Sequence, residues 1–299
     1  MYRLTEKNIT DYRGHLVQEE YAADTVKKYL RDILAFEGWL KEFGKEAAAG
    51  TAAPGETATE EAALFDKESA AGWKAYLVSS GLAPSTINAM LSSLNSLLRF
   101  LGWEDCRVKF LKIQRRTFRD QEKELSRAEY GRLLETAKGA GKERLALLLE
   151  TVCATGIRVS EVKYITMEAL KQRRADISLK GKVRTILLPG KLCKKLTDYA
   201  RKHGIRSGEI FVTRNGRGMS RSQIWQEMKD LCGKASVNPA KVFPHNLRHL
   251  FARSFYQVCR DIVKLADVLG HSSIETTRIY LISTGETHAR QMEKLGLIS

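Results

Sequence analysis

The twelve residues Leu269–Tyr280, LGHSSIETTRIY, set a tyrosine nine positions after the histidine of a Leu-Gly-His triplet. Upstream, the segment Pro244–His249, PHNLRH, sets a histidine and an arginine three positions apart, about one helical turn. Further upstream, Ala154–Val162, ATGIRVSEV, follows a Thr-Gly break with an arginine and a glutamate. Singly, each segment has an ordinary explanation as a surface ion pair, a helix start or a core aromatic residue. Together they describe one chemical site.

The combined side chains have the chemistry of a phosphodiester site. Two guanidiniums that converge on one phosphate, here Arg158 and Arg248, bind its oxygens and offset charge in the transition state. The Tyr280 hydroxyl can attack phosphorus and form a covalent phosphotyrosine if a neighbour takes its proton. His245 and His271 are the expected acid–base partners, because histidine titrates near neutrality.

Metal and cofactor motifs are absent from the sequence. It has no carboxylate cluster of the two-metal nuclease kind, no Gly-rich phosphate loop and no His-Glu-x-x-His segment. Five scattered cysteines without a Cys-x-x-Cys pair argue against a zinc site and against a disulfide framework. We therefore expect a site without metal and without cofactor.

Length and composition predict two domains in a cytoplasmic protein. A chain of 299 residues is long for a single core, and 43% apolar and 28% charged residues suit a soluble protein. Its apolar stretches fall far short of the roughly 20 residues of a membrane span. The N-terminus has no apolar signal-peptide segment, so we expect no targeting to a membrane and no insertion into one.

The charge is divided unevenly along the chain. Residues 1–105 carry 11 basic and 16 acidic side chains, a balance of −5, and the rest carry 39 and 19, a balance of +20. Such an excess of positive charge predicts a polyanionic partner, nucleic acid ahead of an anionic membrane surface. The basic run at 106–124 is a predicted linker, in which Arg115 and Arg116 are candidate phosphate contacts.

Apolar periodicity predicts a helical first third without strands. The predicted helices cover about 5–19, 22–43, 69–79 and 84–101, with a loop or insertion over 47–63.

A second, mainly helical domain opens at the N-cap Ser126. Its first helices are predicted to reach about residue 137 and to cover 143–153. Alternating segments at 176–179 and 185–188 predict a small β-hairpin or a three-stranded sheet.

The three quoted segments resemble the tyrosine recombinase (phage integrase) family, close to its Xer-like branch. That family has an arginine in T-G-x-R-x-x-E, a hairpin lysine, H-x-x-R, G-H and a tyrosine nine residues beyond the last histidine. The side chains that match in order and spacing are Arg158, Lys180, His245, Arg248, His271 and Tyr280. The likeness covers about Ser126 to Tyr280, and the N-terminal third is more weakly similar to the family's core-binding domain.

The fold implied by the resemblance is mainly α with a small β-sheet. A helical, SAM-like core-binding domain would occupy residues 1–105 and the basic linker 106–124. An α+β catalytic domain with a C-terminal tail helix would occupy 125–299.

The resemblance also implies strand transfer that is independent of metal and ATP. Arg158 and Arg248 would hold the scissile phosphate, and Tyr280 would attack it to leave a 3′-phosphotyrosine and a free 5′-hydroxyl. His245 would act as general acid–base for the tyrosine, and His271 would hydrogen bond the phosphate.

Two further residues complete the implied site. Glu161 would support it from behind without acting as an acid or base. A hairpin lysine would protonate the departing 5′-oxygen, and Lys180 and Lys182 are both candidates, of which we favour Lys180.

The predicted DNA contacts lie at two helix starts and in the linker. In relatives, a helix like the one capped by Ser220 enters the major groove, so Arg221 and Gln223 are candidates for base contacts. Thr86 and Asn88 hold the comparable place in the N-terminal domain.

The expected partner is double-stranded DNA with paired inverted-repeat sites, gripped by both domains. On it the protein would form a homotetramer. A tail helix at about 287–295 would pack either on its own domain or on a neighbouring subunit, and we favour the neighbouring subunit. The need for an accessory protein or a second recombinase stays open.

The predicted function is therefore site-specific DNA recombination at the nucleoid, in mobile-element integration and excision or in chromosome dimer resolution. Two alternatives stay open at this point. One is a type IB topoisomerase-like enzyme, which resembles the family in its Arg, Lys, His and Tyr side chains. The other is a DNA-binding protein of the same fold without catalysis.

Overall fold

The computed structural model describes residues 1–49, 62–113, 121–179, 182–280 and 293–294, with the backbone alone at 43–49, 62–63, 121, 179 and 182. The chain divides into two compact units, Met1–Arg115 and Arg116–Ser299. The domain bounds predicted at 105 and 124 stay predictions, and part of the predicted linker, including Arg115 and Arg116, lies outside the described residues.

The first unit is a helical bundle beside a two-stranded sheet. Its elements are β1 Tyr2–Thr5, α1 Glu6–Gln18, α2 Ala23–Ala49, β2 Ala62–Phe65, α3 Lys67–Ser79, α4 Pro84–Phe100 and a 3-10 helix Glu104–Cys106. The apolar stripes of α2 and α4 form the middle of its core, where Ile33, Phe36, Leu91 and Leu94 are buried. The predicted helices are confirmed, because this periodicity puts one apolar face of each helix inward.

The prediction of a first third without strands is wrong. β1 and β2 pair antiparallel, with Tyr2 opposite Phe65. Each strand has four residues, too few for apolar alternation to stand out in the sequence. Burial of Leu4 and Phe65 in the core fixes the pairing. The predicted loop over 47–63 is helical at 47–49 and β at 62–63, and its other residues lie outside the described ranges.

Two asparagines of α4 hold the extended segment that follows the helix. The Asn88 side chain donates to the Leu111 carbonyl at 2.9 Å and accepts from the Leu111 N–H at 2.8 Å. Asn95 pairs in the same way with Val108, at 2.9 and 3.0 Å. Residues seven apart lie on one helix face, since this spacing is about two turns. Residues 107–113 therefore run along α4 as a strand runs beside its neighbour.

The second unit packs helices around α6. Its elements are a 3-10 helix Gln121–Lys123, α5 Arg127–Gly139, α6 Glu143–Thr155, a 3-10 helix Val159–Tyr164, α7 Met167–Gln172, β3 Arg174–Leu179, β4 Lys182–Leu187, α8 Gly190–Lys202, α9 Arg221–Ala235, a 3-10 helix Pro239–Lys241, α10 Pro244–Cys259, α11 Ile262–Leu269 and α12 Ile274–Arg278. α6 lies between α5, α8 and α10, and Leu145, Leu148, Leu149 and Val152 on it are buried.

The predicted hairpin is confirmed as β3 and β4, with Arg174 opposite Leu187. Within the described ranges this sheet has two strands. The predicted fold class, mainly α with small sheets, is confirmed. The predicted tail helix at about 287–295 lies outside the described residues except for 293–294. In the described part of the chain, no helix has the length and apolar character to cross a bilayer.

A glycine ends α6 at the point where three helices meet. Gly156 has φ of +64°, and a β-carbon there would overlap the Phe251 ring of α10 and the Leu269 side chain of α11. Glycine meets both demands, since it tolerates positive φ and leaves room for the neighbouring helices.

We expect Gly156→Ala to lower the free energy of unfolding by about 3 kcal/mol, since strain at positive φ and overpacking add. Gly141→Ala is the matched control, because Gly141 has φ of +66° and a β-carbon there would meet open space. It should cost only about 1 kcal/mol. Urea unfolding of both variants measures the difference, and equal losses would contradict the close approach at Gly156.

Candidate active site

Arg158 is placed by the turn that ends α6. After Gly156 the buried Ile157 anchors the chain, and a 3-10 helix starts at Val159. The Glu161 carboxylate accepts the Arg158 backbone N–H at 2.8 Å and its guanidinium at 3.0 Å. The Arg158 side chain nevertheless stays 40% exposed, so it can also meet a ligand from solvent.

Arg248 is buried where two helices end. It lies on α10, is 1% exposed, and donates to the carbonyl of Gly156 and, at 2.7 Å, to that of Leu269. Burial lowers the pKa of Arg248 to about 10, although a hydrogen bond with Tyr280 opposes that shift. The guanidinium therefore stays charged at neutral pH.

His271 is held between Arg248 and Thr277. Its Nε2 lies 2.9 Å from an Arg248 nitrogen, and its Nδ1 lies 2.8 Å from the Thr277 hydroxyl. Because a guanidinium can only donate, Nε2 accepts and Nδ1 carries the proton.

The expectation that His271 titrates near neutrality is wrong. Burial, and then the positive charges of Arg248, Arg158 and Arg184, lower the pKa of His271 to about 4. The imidazole is therefore neutral at physiological pH, because both influences penalise its charged form.

Tyr280 lies among three histidine rings. It is 4% exposed, and the centroids of His249, His271 and His245 lie 4.3, 5.5 and 5.9 Å from its own. His245 and His249 meet edge to face at 4.7 Å. His245 is exposed, so among these histidines it can exchange protons with solvent.

Glu161 is buried and ionised behind this group. Burial alone would raise its pKa, but the Arg158 backbone N–H and the charge of Arg184 outweigh that effect and hold the pKa of Glu161 below its usual value. A carboxylate in this state accepts hydrogen bonds and neutralises one guanidinium.

Sequence reasoning missed two residues of the site. His249 is buried against Tyr280, and its i, i+4 relation to His245 on a helix behind Pro244 was the available signal. Arg184 binds Glu161 and the Leu269 carbonyl. The available signal for Arg184 was strand alternation, because Arg184 lies on the same face of β4 as the buried Ile186. This position predicts that its side chain points towards the protein interior.

Lys180 lies outside the described residues, and Lys182 is described only as the first residue of β4. The role of Lys180 stays a prediction.

The predicted DNA contacts lie at helix starts. Thr86 is exposed in the first turn of α4 and Arg221 in that of α9. Gln223 is exposed but closes a capping box, in which its Oε1 accepts from the Ser220 N–H at 2.9 Å. The Asn88 amide is already paired with the Leu111 backbone. All four stay predictions.

Comparison with known proteins places the chain in a family. The phage integrase family profile matches residues 123–286, and the profile of the phage integrase N-terminal SAM-like domain matches residues 9–105. The tyrosine recombinase XerA of Pyrococcus furiosus is 30% identical over 234 residues, which are 75% of this chain and 79% of that protein. The tyrosine recombinase XerC of Erythrobacter litoralis is 30% identical over 271 residues, which are 87% of this chain and 81% of that protein.

A solved structure shares the fold. XerH site-specific recombinase, in a post-cleavage complex with palindromic difH substrate, superposes with a TM-score of 0.68 at 18% identity, covering 91% of this chain and 79% of that one. The resemblance read from the three segments is thus confirmed, and this chain belongs to the phage integrase family of tyrosine recombinases.

Proposed function

We propose that this protein cuts and rejoins DNA strands at specific sites through a 3′-phosphotyrosine intermediate. The position of Tyr280 supports this most directly, because its ring packs on three histidines and its hydroxyl interacts electrostatically with the buried guanidinium of Arg248. A tyrosine held beside a fixed cation is suited to attack a phosphate that the same cation binds.

The charge of the site matches a phosphodiester. Arg158, Arg184 and Arg248 each influence the pKa of His271, and one carboxylate, Glu161, offsets one of these three positive charges. Two positive charges remain for a phosphate that carries one negative charge at rest and approaches two in the pentacoordinate transition state. These two uncompensated positive charges stabilise the transition state more than they stabilise the bound substrate.

The proposed cleavage step exchanges one phosphate ester for another. The Tyr280 oxygen bonds to phosphorus, the bond from phosphorus to the 5′-oxygen breaks, and His245 takes the tyrosine proton. Lys180 gives a proton to the departing 5′-oxygen. Attack by the 5′-hydroxyl of a second strand reverses the step and frees Tyr280, so the ester bond is conserved without ATP or metal.

His271 would become a hydrogen-bond donor to the phosphate when DNA binds. A phosphate brings negative charge that offsets the surrounding guanidiniums, so it raises the pKa of His271 from its low value. The protonated ring can then donate a hydrogen bond to a phosphate oxygen.

The proposal extends to the assembly. Thr86 and Arg221 are exposed at the starts of two helices in different units, and with Gln223 and the linker arginines they would contact duplex DNA with paired inverted repeats. A homotetramer on that DNA would exchange its tail helices, with or without an accessory or second recombinase. Integration and excision of a mobile element, or resolution of chromosome dimers at the nucleoid, are the roles open to it.

We expect wild-type protein, incubated with source genomic DNA in EDTA and denatured, to remain covalently attached to DNA. Tyr280→Phe should give no adduct and keep its DNA affinity, because it loses only the attacking hydroxyl. Sequencing of the attached DNA should recover one paired-repeat sequence.

Two results would contradict site-specific recombination and indicate a different function. Adducts that depend on Tyr280 but are scattered evenly over the genome would indicate topoisomerase-like swivelling. DNA binding without an adduct in either protein would indicate a DNA-binding protein without cleavage activity.

The free energy of unfolding of the DNA-free protein should fall as the pH drops from 6.5 towards 4. Across this window the unfolded chain protonates His271, with an ordinary pKa of 6.5, while the folded chain, with a pKa of about 4, does not. Acid therefore favours unfolding. Urea titrations of wild type and His271→Gln should show a shallower fall in the variant.

His203→Gln is the control, because His203 is an exposed histidine of the same unit. It should follow the wild-type curve. Parallel curves for wild type and His271→Gln would contradict a depressed pKa at His271.

A further inference from the structure

Arg184 joins two segments of the active site that are distant in sequence. Its side chain is 14% exposed, and its guanidinium donates to the Glu161 carboxylate, 23 positions away, and to the Leu269 carbonyl, 85 positions away. One planar guanidinium can bind two acceptors at once, whereas an ammonium is a point charge.

Each acceptor of Arg184 also holds one of the phosphate-binding arginines. Glu161 accepts the backbone N–H and the guanidinium of Arg158. The Leu269 carbonyl accepts a guanidinium N–H of Arg248 at 2.7 Å. Arg184 is therefore linked to both arginines through shared oxygens.

The backbone that leads to His271 lies directly on Arg184. A β-carbon at Gly270 would overlap the Arg184 side chain, so the glycine of the Leu-Gly-His triplet allows this approach. The Gly270 N–H bonds to Asp267 and the His271 N–H to Ala266, so the turn is held by its own helix on one side and by Arg184 on the other.

Removal of Arg184 would change both charge and geometry. Glu161 would have Arg158 as its remaining described ion-pair partner, and an ionised buried carboxylate with fewer donors binds its remaining partner more strongly. Arg158 would then be drawn towards Glu161 and away from a phosphate. The Leu269 carbonyl would also lose one of the two cations that fix its direction.

We infer that Arg184 is a positioning residue for DNA cleavage, which sets Arg158 through Glu161 and Arg248 through the Leu269 carbonyl. This inference rests on the proposed function. It assigns Arg184 no direct contact with DNA, so its loss should slow cleavage strongly. Affinity for the duplex, to which many other phosphate contacts contribute, should change little.

The test uses a duplex that carries the sequence recovered by covalent capture. A nick a few nucleotides 3′ of the cleaved phosphate lets the short 5′-hydroxyl fragment diffuse away, so that adduct formation is a single turnover. Arg184→Met should slow the adduct rate about 100-fold, since small misplacement of catalytic groups has effects of this size. Its Kd for the same duplex should stay within about twofold of wild type, a margin well below the effect on rate.

Two further variants separate positioning from charge and from general damage. Arg184→Lys keeps the positive charge but cannot reach both acceptors, so it should restore only part of the rate. Arg174→Met is the matched control, because Arg174 lies on the same hairpin, 57% exposed and paired with Asp176. It should keep the wild-type rate.

A double-mutant cycle tests the route of the effect. Because the inference requires Arg184 to set Arg158 through Glu161, Arg184→Met should slow an Arg158→Ala protein much less than it slows wild type. Thermal unfolding of each protein confirms that it is folded at the assay temperature. If Arg184→Met does not fold, the cycle is run with Arg184→Lys.

Several outcomes would overturn the inference. They are a wild-type rate in Arg184→Met, full rescue by Arg184→Lys, a loss of DNA affinity that accounts for the rate, or effects that multiply with Arg158→Ala. If wild-type protein forms no Tyr280-dependent adduct, the proposed function itself fails, and the inference fails with it.

Discussion

The buried guanidinium of Arg248 is the constraint on which the active site depends. A cation at 1% exposure requires acceptors from the protein, and the chain supplies the carbonyls of Gly156 and Leu269 at the ends of α6 and α11. Carbonyls at helix C-termini carry partial negative charge, which suits a buried cation. Three helices must therefore meet at this side chain for it to be satisfied, and the same junction delivers Arg158 and His271 to the site.

Charge compensation in the site is uneven. Within the described part of the site, one buried carboxylate, Glu161, pairs with Arg158 and Arg184. Arg248 donates instead to uncharged carbonyls and to the His271 ring, and its buried Nε has no partner among the described residues. Burial and this surplus of positive charge together keep His271 neutral, and the surplus suits the site to binding an anion. In the proposed reaction this anion is a phosphodiester, and the surplus that would bind it would also favour the more highly charged transition state.

The sequence predicted the parts of this site that depend on local spacing. His245 and Arg248 lie one turn apart on α10, so a helix start behind Pro244 was enough to bring them to one face. Arg184 was visible in the hairpin but had no assigned role, because its partners lie 23 and 85 positions away. The prediction for the pKa of His271 failed for a similar reason, since burial and then arginines from separate segments lower it. The short β1–β2 pair was missed because a four-residue strand has no distinctive pattern.

The hydrogen bonds from the Asn88 and Asn95 side chains limit where this chain can be joined to a relative in a hybrid recombinase. Through them, the backbone groups of Val108 and Leu111 hydrogen bond to α4, and the stretch belongs to the first unit. A chimera joined at Cys106 would remove the native Val108 and Leu111 from their asparagine partners and oblige a foreign segment to fit both amides. A junction placed after Ile113 transfers α4 and residues 107–113 together and keeps both asparagine pairs.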